Sequence, residues 1–402
     1  MSRFLQIVTV TEAVRTAVRI APARATETVP PEESAGRVLA TPVTADSDIP
    51  GFDRAIVDGY ALRSSDTAGA GDSSPALVRC TGRIAMGAPG GVPGLQAGEC
   101  AYLPTGGVLP QGADAAVMKE YTERAGDTIL VKRPVFSGEN ILRHDEDFRK
   151  GETVFEEGRL LTPRDAGVLA ACGCAAVRVA KKPVVGVIST GNELVPASAR
   201  PGPGQVRDAN APMIAAWLSG YGCIPRLYGI VRDERESFEA AIAQAVPACD
   251  LVLLSGGSSK DDRDMTAAVI AGRGKVLVHG IAIAPGKPTI IGTIGATPIF
   301  GLPGHPASAF VVLLAVVRPL LDTMLGRKEP RLRTARAVLA ENIPSQRGRE
   351  EYVRVRVEDG IAYPLFGKSG LLNTLVRSDG LVCIPAGTEG LEKGSTVDVI
   401  LW

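Results

Sequence analysis

Histidine is scarce: His144, His279 and His305 are the three in 402 residues, and they lie far apart in the chain. A site built from several imidazole ligands is thereby disfavoured. Cysteine is present seven times, at Cys80, Cys100, Cys172, Cys174, Cys223, Cys249 and Cys383, but without any CxxC pair; the closest spacing is the CxC around Gly173. A chain of this length does not need disulfide staples, so reduced thiols in a cytoplasmic protein are the expectation. Charge of one sign is not in excess, since 44 basic and 44 acidic residues cancel to a net charge of zero. That balance argues against nucleic acid, which is bound through a concentrated surplus of Lys and Arg. Long hydrophobic runs are missing too: the longest, Ala309 to Val317, falls short of the ~20 residues of a membrane span. The first residues, MSRFLQIVTVTEAVR, hold no leader-length apolar segment and turn acidic at Glu12. What remains is a soluble globular chain, 45% hydrophobic and 22% charged, long enough for two to four domains.

The chain changes rhythm several times. Thr9 and Glu12 have the spacing of a capping box, which predicts a helix with Ala13, Val14, Ala17 and Val18 on one face, ending near Pro22. Residues 37–43 read as an extended connector. From about 46 to 139 the chain is rich in Gly and Pro, with short alternating runs (Ala76–Cys80, Ala115–Lys119, Thr128–Lys132) that predict a small β domain. Thr162-Pro163 then forms a good start for a helix over Arg164–Cys172. Beyond Pro183, buried-strand runs (PVVGVIST, IPRLYGIV, DLVLLSGG, TPIFGLPG) alternate with helical segments. Asp208 is placed to cap the first of those helices, and Ala307–Leu325 is the longest. Such alternation predicts a parallel, doubly wound α/β sheet with ligands at the carboxyl ends of its strands. After Gly326 short strands return (Tyr352–Val357, Leu381–Ile384, Thr396–Leu401), as in a C-terminal β-barrel or sandwich.

Three strand ends in the α/β segment run into turns of small residues: STGNE (Ser189, Thr190, Gly191 to Glu193), SGGSS (Ser255, Gly256, Gly257, Ser258 to Ser259) and GLPGHP (Gly301 to Pro306, with Pro303 and Gly304). Any one is explained as a tight connection. Three in one domain point to a phosphate-bearing ligand cradled by backbone amides and hydroxyls. Pro285, Gly286 and Lys287 in PGKP offer a further cation on a stiff turn. Glu193, Asp233 and Asp264 accompany these turns and suggest Mg2+ bridging acid and phosphate oxygens. Asp264 is better read as a helix cap, whereas Asp233 reads equally as a solvated loop acid and as a metal ligand. In the β segment, Asp58-Gly59 reads either as part of a site or as a hairpin turn. Thr105, Gly106 and Gly107 form a plausible nest for a tetrahedral oxyanion. The run RHDEDF, with Asp147, is a solvated charge cluster or an interdomain site, and Cys172–Cys174 is packing at a helix end, with metal binding a distant second reading.

In order, DIPGFDRAIVDGYAL, PTGGVLPQGADAAVM, GENILRHDEDFRKGE, ISTGNELV, DLVLLSGGSS, APGKP and GLPGHPASA resemble the molybdopterin molybdotransferase family, to which the C-terminal domain of gephyrin also belongs. The resemblance runs in one register from about residue 8 to the end. It implies an elongated homodimer whose subunit has a discontinuous helical domain (1–45 and 140–180), an inserted β domain (46–139), an α/β molybdopterin-binding domain (181–328) and a C-terminal β domain (329–402). It implies a cleft where the α/β domain of one subunit faces the β domain of the other. The implied reaction is insertion of molybdate into adenylylated molybdopterin, with Mg2+-dependent release of AMP and possible handover of the cofactor to molybdoenzymes, and no nucleic acid or membrane takes part. Asp58, Thr105, Asp147, Glu193, Asp233 and Asp264 match positions the family uses around substrate and metal; Arg349 and Ser369 are looser matches in the C-terminal domain. Three departures stand out. SSKDDRD replaces the usual SVGxxD, bringing in Lys260 and two extra acids. The stretch His279–Ala284 lacks the two lysines usually found ahead of PGKP. GLPGH replaces GLPGN. Lys260, Arg263 or His279 is then expected to stand in for the missing cations, and His305 to cap and pack at Pro306 or to donate to a phosphate. A tungstate-preferring paralogue and a non-catalytic pterin-binding scaffold are the alternatives.

Overall fold

The computed structural model describes residues 7–87, 94–256, 260–328 and 332–402, with the backbone alone at 260–264. The Thr9 hydroxyl accepts from the Glu12 amide while the Glu12 carboxylate accepts from the Thr9 amide, opening the helix Val10–Arg19. Val10, Ala13 and Ala17 are its buried face. The small alanines let it lie close against the Arg318–Leu325 helix. Thr26–Val29 pairs antiparallel with Val177–Ala180, and Val43–Thr44 with Thr153–Phe155. Segments on either side of the insert therefore share one core, built from Val29, Leu39, Phe155, Leu161, Leu169 and Val177. The Pro163–Ala171 helix starts from a Thr162–Asp165 capping box, and Arg159 pairs with Asp165 at 3.0 Å. Cys172 is the buried C-cap of that helix.

The insert is a six-stranded mixed sheet in the order Ala115–Met118, Gly59–Leu62, Glu99–Leu103, Ala76–Arg83, Thr128–Val131, Thr122–Ala125. It curls around Leu62, Val78, Cys100, Val117, Ile129 and Val131. Asp58-Gly59 is not a hairpin turn. Gly59 opens a central strand, where a Cβ would sit 1.8 Å from the Val117 carbonyl oxygen, so only glycine permits that approach.

The α/β unit holds six strands in the order Ile224–Val231, Val184–Thr190, Leu251–Gly256, Thr297–Leu302, Ile290–Ile294, Lys275–His279. The sheet is mixed rather than all parallel, because Ile290–Ile294 runs against its neighbours. The reason is the two-residue link Gly295-Ala296: it closes an antiparallel hairpin, whereas a parallel pair needs a long crossover. This strand and Lys275–His279 are not apparent from the sequence pattern. The helical stretch Pro306–Leu325, with one π-turn at Leu313–Val317, is long and apolar enough to cross a membrane (mean hydropathy 1.8), exceeding the short run the sequence suggested. Two thirds of it is buried between the sheet and the Val10–Arg19 helix, which accounts for its composition.

The C-terminal unit is a closed five-stranded barrel, running Arg333–Leu339, Thr396–Leu401, Gly380–Ile384, Glu350–Glu358, Ile361–Pro364 and back to the first. The two-residue strand Ile283–Ala284 pairs in parallel with Glu350 and Glu351 and fixes the PGKP loop on the barrel.

Candidate active site

The strands Val184–Thr190, Leu251–Gly256 and Thr297–Leu302 bring their terminal turns together, and buried polar side chains lock those turns to one another. Ser189 donates to Asp208 Oδ2 at 2.5 Å, and Asp208 Oδ1 accepts from the amides of Asn210 and Ala211 at 3.1 Å each. Asp208 thus caps the Asn210–Tyr221 helix, as the sequence suggested, and also ties it to the first turn. Asn210 Nδ2 donates to Ser255 Oγ and to the Gly304 carbonyl, both at 2.8 Å, linking the second turn to the third. Gly256 has φ +123°, and a Cβ there would lie 2.0 Å from the Thr190 carbonyl oxygen. The first and second turns touch backbone to backbone. The Asn192 amide donates to Asp233 Oδ2 at 3.1 Å, and the Asp233 amide donates to Asn192 Oδ1 at 3.3 Å.

A cavity of about 610 Å³ opens over this junction, and Thr190, Gly191, Glu193, Asp233, Ser255, Gly256, Gly304 and His305 line it. Ser189 is buried behind it. A neighbouring cavity of about 320 Å³ is lined by Pro285, Gly286, Lys287, Pro303, Gly304, His305, Arg349 and Ser369. The lip between them is a bridge from α/β unit to barrel: His305 Nδ1 and Ser369 Oγ lie 2.8 Å apart, and the Ala307 amide donates to the Ser369 carbonyl at 3.2 Å. His305 does not cap with its side chain as expected. Its ring is exposed, in the wall of both cavities.

Other expected residues lie elsewhere. In the insert, Asp58 Oδ1 accepts from the Thr105 amide at 2.9 Å and its hydroxyl at 3.2 Å. These bonds, the backbone one foremost, hold the Asp58 carboxyl below the usual carboxylate range. The Gly106 amide donates to the Ala55 carbonyl and the Gly107 amide to that of Pro104. The proposed oxyanion nest is therefore corrected: all three of its amides already have acceptors within the protein. Asp147 is exposed, with its amide on the Ile49 carbonyl. Neither it, Asp58 nor Thr105 is among the residues lining the two cavities. Gly257 and Ser258 fall outside the described residues, as do the side chains of Lys260, Arg263 and Asp264. Asp264 lies one turn inside the Lys260–Arg273 helix rather than at its start. His279 ends its strand half-buried and lines neither cavity. Asn210 and Asn192 escape a sequence reading; the signal available was Asn210 two residues after a helix-capping Asp208.

Mg2+ keeps several waters and is ordinarily held by one or two carboxylates together with substrate phosphates. Glu193 and Asp233, hard oxygen donors on one cavity wall, fit that requirement. Among the described residues no group of three or more acidic, His or Cys side chains is gathered closely enough to hold a metal by itself.

Interlocked, glycine-lined strand ends beneath residues of the C-terminal unit define a multidomain α/β protein with a cavity where such sheets take their ligands. Family models match along nearly the whole chain: the MoeA N-terminal region (domain I and II) over residues 8–173, a probable molybdopterin binding domain over 186–323, and the MoeA C-terminal region (domain IV) over 336–402. The molybdopterin molybdenumtransferase of Bacillus subtilis (strain 168) is 35% identical over 98% of this chain and 93% of its own length. That of Staphylococcus aureus (strain COL) is 31% identical over 93% and 90%. The crystal structure of molybdopterin biosynthesis MoeA protein from Pyrococcus horikoshii OT3 superposes with a TM-score of 0.85 at 33% identity, covering 99% of this chain and all of that one. The chain belongs to the molybdopterin molybdenumtransferase (MoeA) family of molybdenum-cofactor biosynthesis, and is a transferase.

Proposed function

We propose that the chain inserts molybdate into adenylylated molybdopterin, with cleavage of the phosphoanhydride and release of AMP. The observation that carries this reading is the convergence of three strand-end turns with Glu193 and Asp233 on one cavity. Thr190, Gly191, Ser255, Gly256 and Gly304 supply a surface that lets phosphate oxygens approach closely. Lys287 and Arg349 in the adjoining cavity supply positive charge for a second anionic group. Gly304 and His305 line both cavities, so a ligand with linked phosphates can reach from one into the other. Glu193 and Asp233 would hold Mg2+, with Asp264 a further candidate. When bound, Mg2+ would neutralise charge building on the anhydride oxygens. The protein's own contribution is positioning in a site whose dipoles are already fixed.

Asp58, held ionised by Thr105, does not line its own chain's cavity. This supports a reading in which a second copy brings its insert to the cleft, making a homodimer. We place the enzyme in the cytoplasm, handing its product to molybdoenzymes. The test is incubation with adenylylated molybdopterin, Mg2+ and either molybdate or tungstate, following AMP release and reconstitution of a cofactor-free acceptor enzyme. Metal insertion with AMP release is expected. AMP release with tungstate alone identifies the tungsten-preferring alternative, which the lysine-free stretch His279–Ala284 favours. Absence of turnover with both metals leaves a pterin-binding scaffold.

A further inference from the structure

We propose that Asn210 is a positioning residue whose amide turns the Ser255 hydroxyl into a hydrogen-bond donor for the ligand's phosphate; this rests on the phosphate-bearing ligand argued above. Asn210 is more than nine-tenths buried, yet it belongs to the wall of the larger cavity. Its orientation is fixed by Gly304, whose carbonyl can only accept, so Nδ2 must face it at 2.8 Å. The second Nδ2 hydrogen then goes to Ser255 Oγ, also at 2.8 Å. A hydroxyl that accepts from an amide N–H still has its own proton to give. Among the described residues Ser255 has no acceptor for that proton, and Ser255 lines the cavity. A phosphate oxygen is the acceptor that completes the chain from Asn210 through Ser255 to ligand. Asn210 Oδ1 is buried and has no donor among the described residues. The amide is thus held by its N–H groups alone, and a 180° flip would set Oδ1 against the Gly304 oxygen. An unsatisfied buried acceptor is unfavourable, and such costs are retained where they serve a site.

Asn210→Asp is the sharp variant. It keeps the shape but replaces two donors by acceptors, so Ser255 must give its proton to residue 210 and present lone pairs to the phosphate. Molybdopterin binding is measured by titration calorimetry, and kcat and KM for AMP release from adenylylated molybdopterin in parallel. Asn210→Asp and Ser255→Ala are each expected to raise the molybdopterin Kd at least ~10-fold, with KM rising more than kcat falls. The double variant should be no worse than the poorer single one, since both remove the same bond. Asn210→Ala serves as a second variant that introduces no charge. Wild-type affinity in both Asn210 variants overturns the proposal. So do effects that multiply in the double variant, or the loss of a cooperative melt by both Asn210 variants, which marks a purely structural role. Wild-type protein that binds molybdopterin but releases no AMP sinks the insertase reading and leaves this inference standing; failure to bind molybdopterin sinks both.

Discussion

The strand-end pocket of the α/β unit and the Asp58–Thr105 turn of the insert are built from the same materials: Asp, Ser or Thr, and glycines. They differ in what those groups already bind. In the pocket, Asp208, Ser189, Asn210 and Ser255 are buried and joined to one another across three turns. In the insert, the Asp58 side chain is hydrogen-bonded to Thr105 alone among the described residues, close to solvent, with Lys119 Nζ 4.0 Å from the carboxylate as its ion-pair partner. The pocket's polar side chains hold one another in place through the protein's own hydrogen bonds. The insert offers a pre-ionised carboxylate, tied to Thr105 and paired with Lys119, at its surface.

The largest effect should separate the two regions at their glycines. In Gly256→Ala the new methyl meets the Thr190 carbonyl, a backbone atom that cannot rotate away, at a positive φ. We expect a stability loss of about 3 kcal/mol and loss of molybdopterin binding. Gly106→Ala, at φ +81°, meets only the flexible end of Met86, so chemical denaturation should show a loss of about 1–2 kcal/mol. Equal losses would erase the distinction.

Next come the acids. Asp208→Ala removes two helix-start bonds and the Ser189 partner together, and should cost about 2 kcal/mol in urea denaturation. Asp58→Asn should leave the melting temperature in place while cutting AMP release by roughly 10-fold or more. If instead Asp58→Asn unfolds the chain at full specific activity, its role is structural. The homodimer reading makes this sharper. Mixing Asp58→Asn with Glu193→Gln subunits should restore about a quarter of the activity if the cleft is shared and subunits pair at random in a two-fold dimer, and none if each chain works alone.

A smaller effect concerns pH. Because the folded state binds the Asp58 proton more weakly than the unfolded chain does, its contribution is complete above the ordinary carboxylate value of about 4. It drains away as pH falls through the lower folded value. Carboxyl NMR should show Asp58 titrating below that ordinary value, and Thr105→Ala, which removes the hydroxyl bond but keeps the larger backbone one, should move it only part of the way back up. The least effect is expected at the deeply buried thiols. Burial pushes Cys100 and Cys223 up to about 12, so neither should be alkylated at pH 8 in the native protein by mass spectrometry.

Local chemistry made much of this architecture legible in the sequence. The capping box at Thr9, the cap-and-proline pair Thr162-Pro163, buried apolar runs at Val184–Thr190 and Leu251–Gly256, and small-residue turns after them report short-range preferences that context did not override. The antiparallel strand Ile290–Ile294 was hidden because a short apolar run carries no direction; the two-residue Gly295-Ala296 link sets it only once the neighbouring strand is in place. Asn210 was hidden for the same reason, since its partners Ser255 and Gly304 are 45 and 94 residues away. An apparent nest at Thr105 closed on itself because the acceptors Asp58 and Ala55 come from a segment some 50 residues upstream that the fold brings alongside it. Residue order settled which groups exist and which local turns they favour. Long-range packing alone decided which hydrogens are already spent and which remain for a ligand, because a donor's availability depends on every acceptor the fold brings within reach.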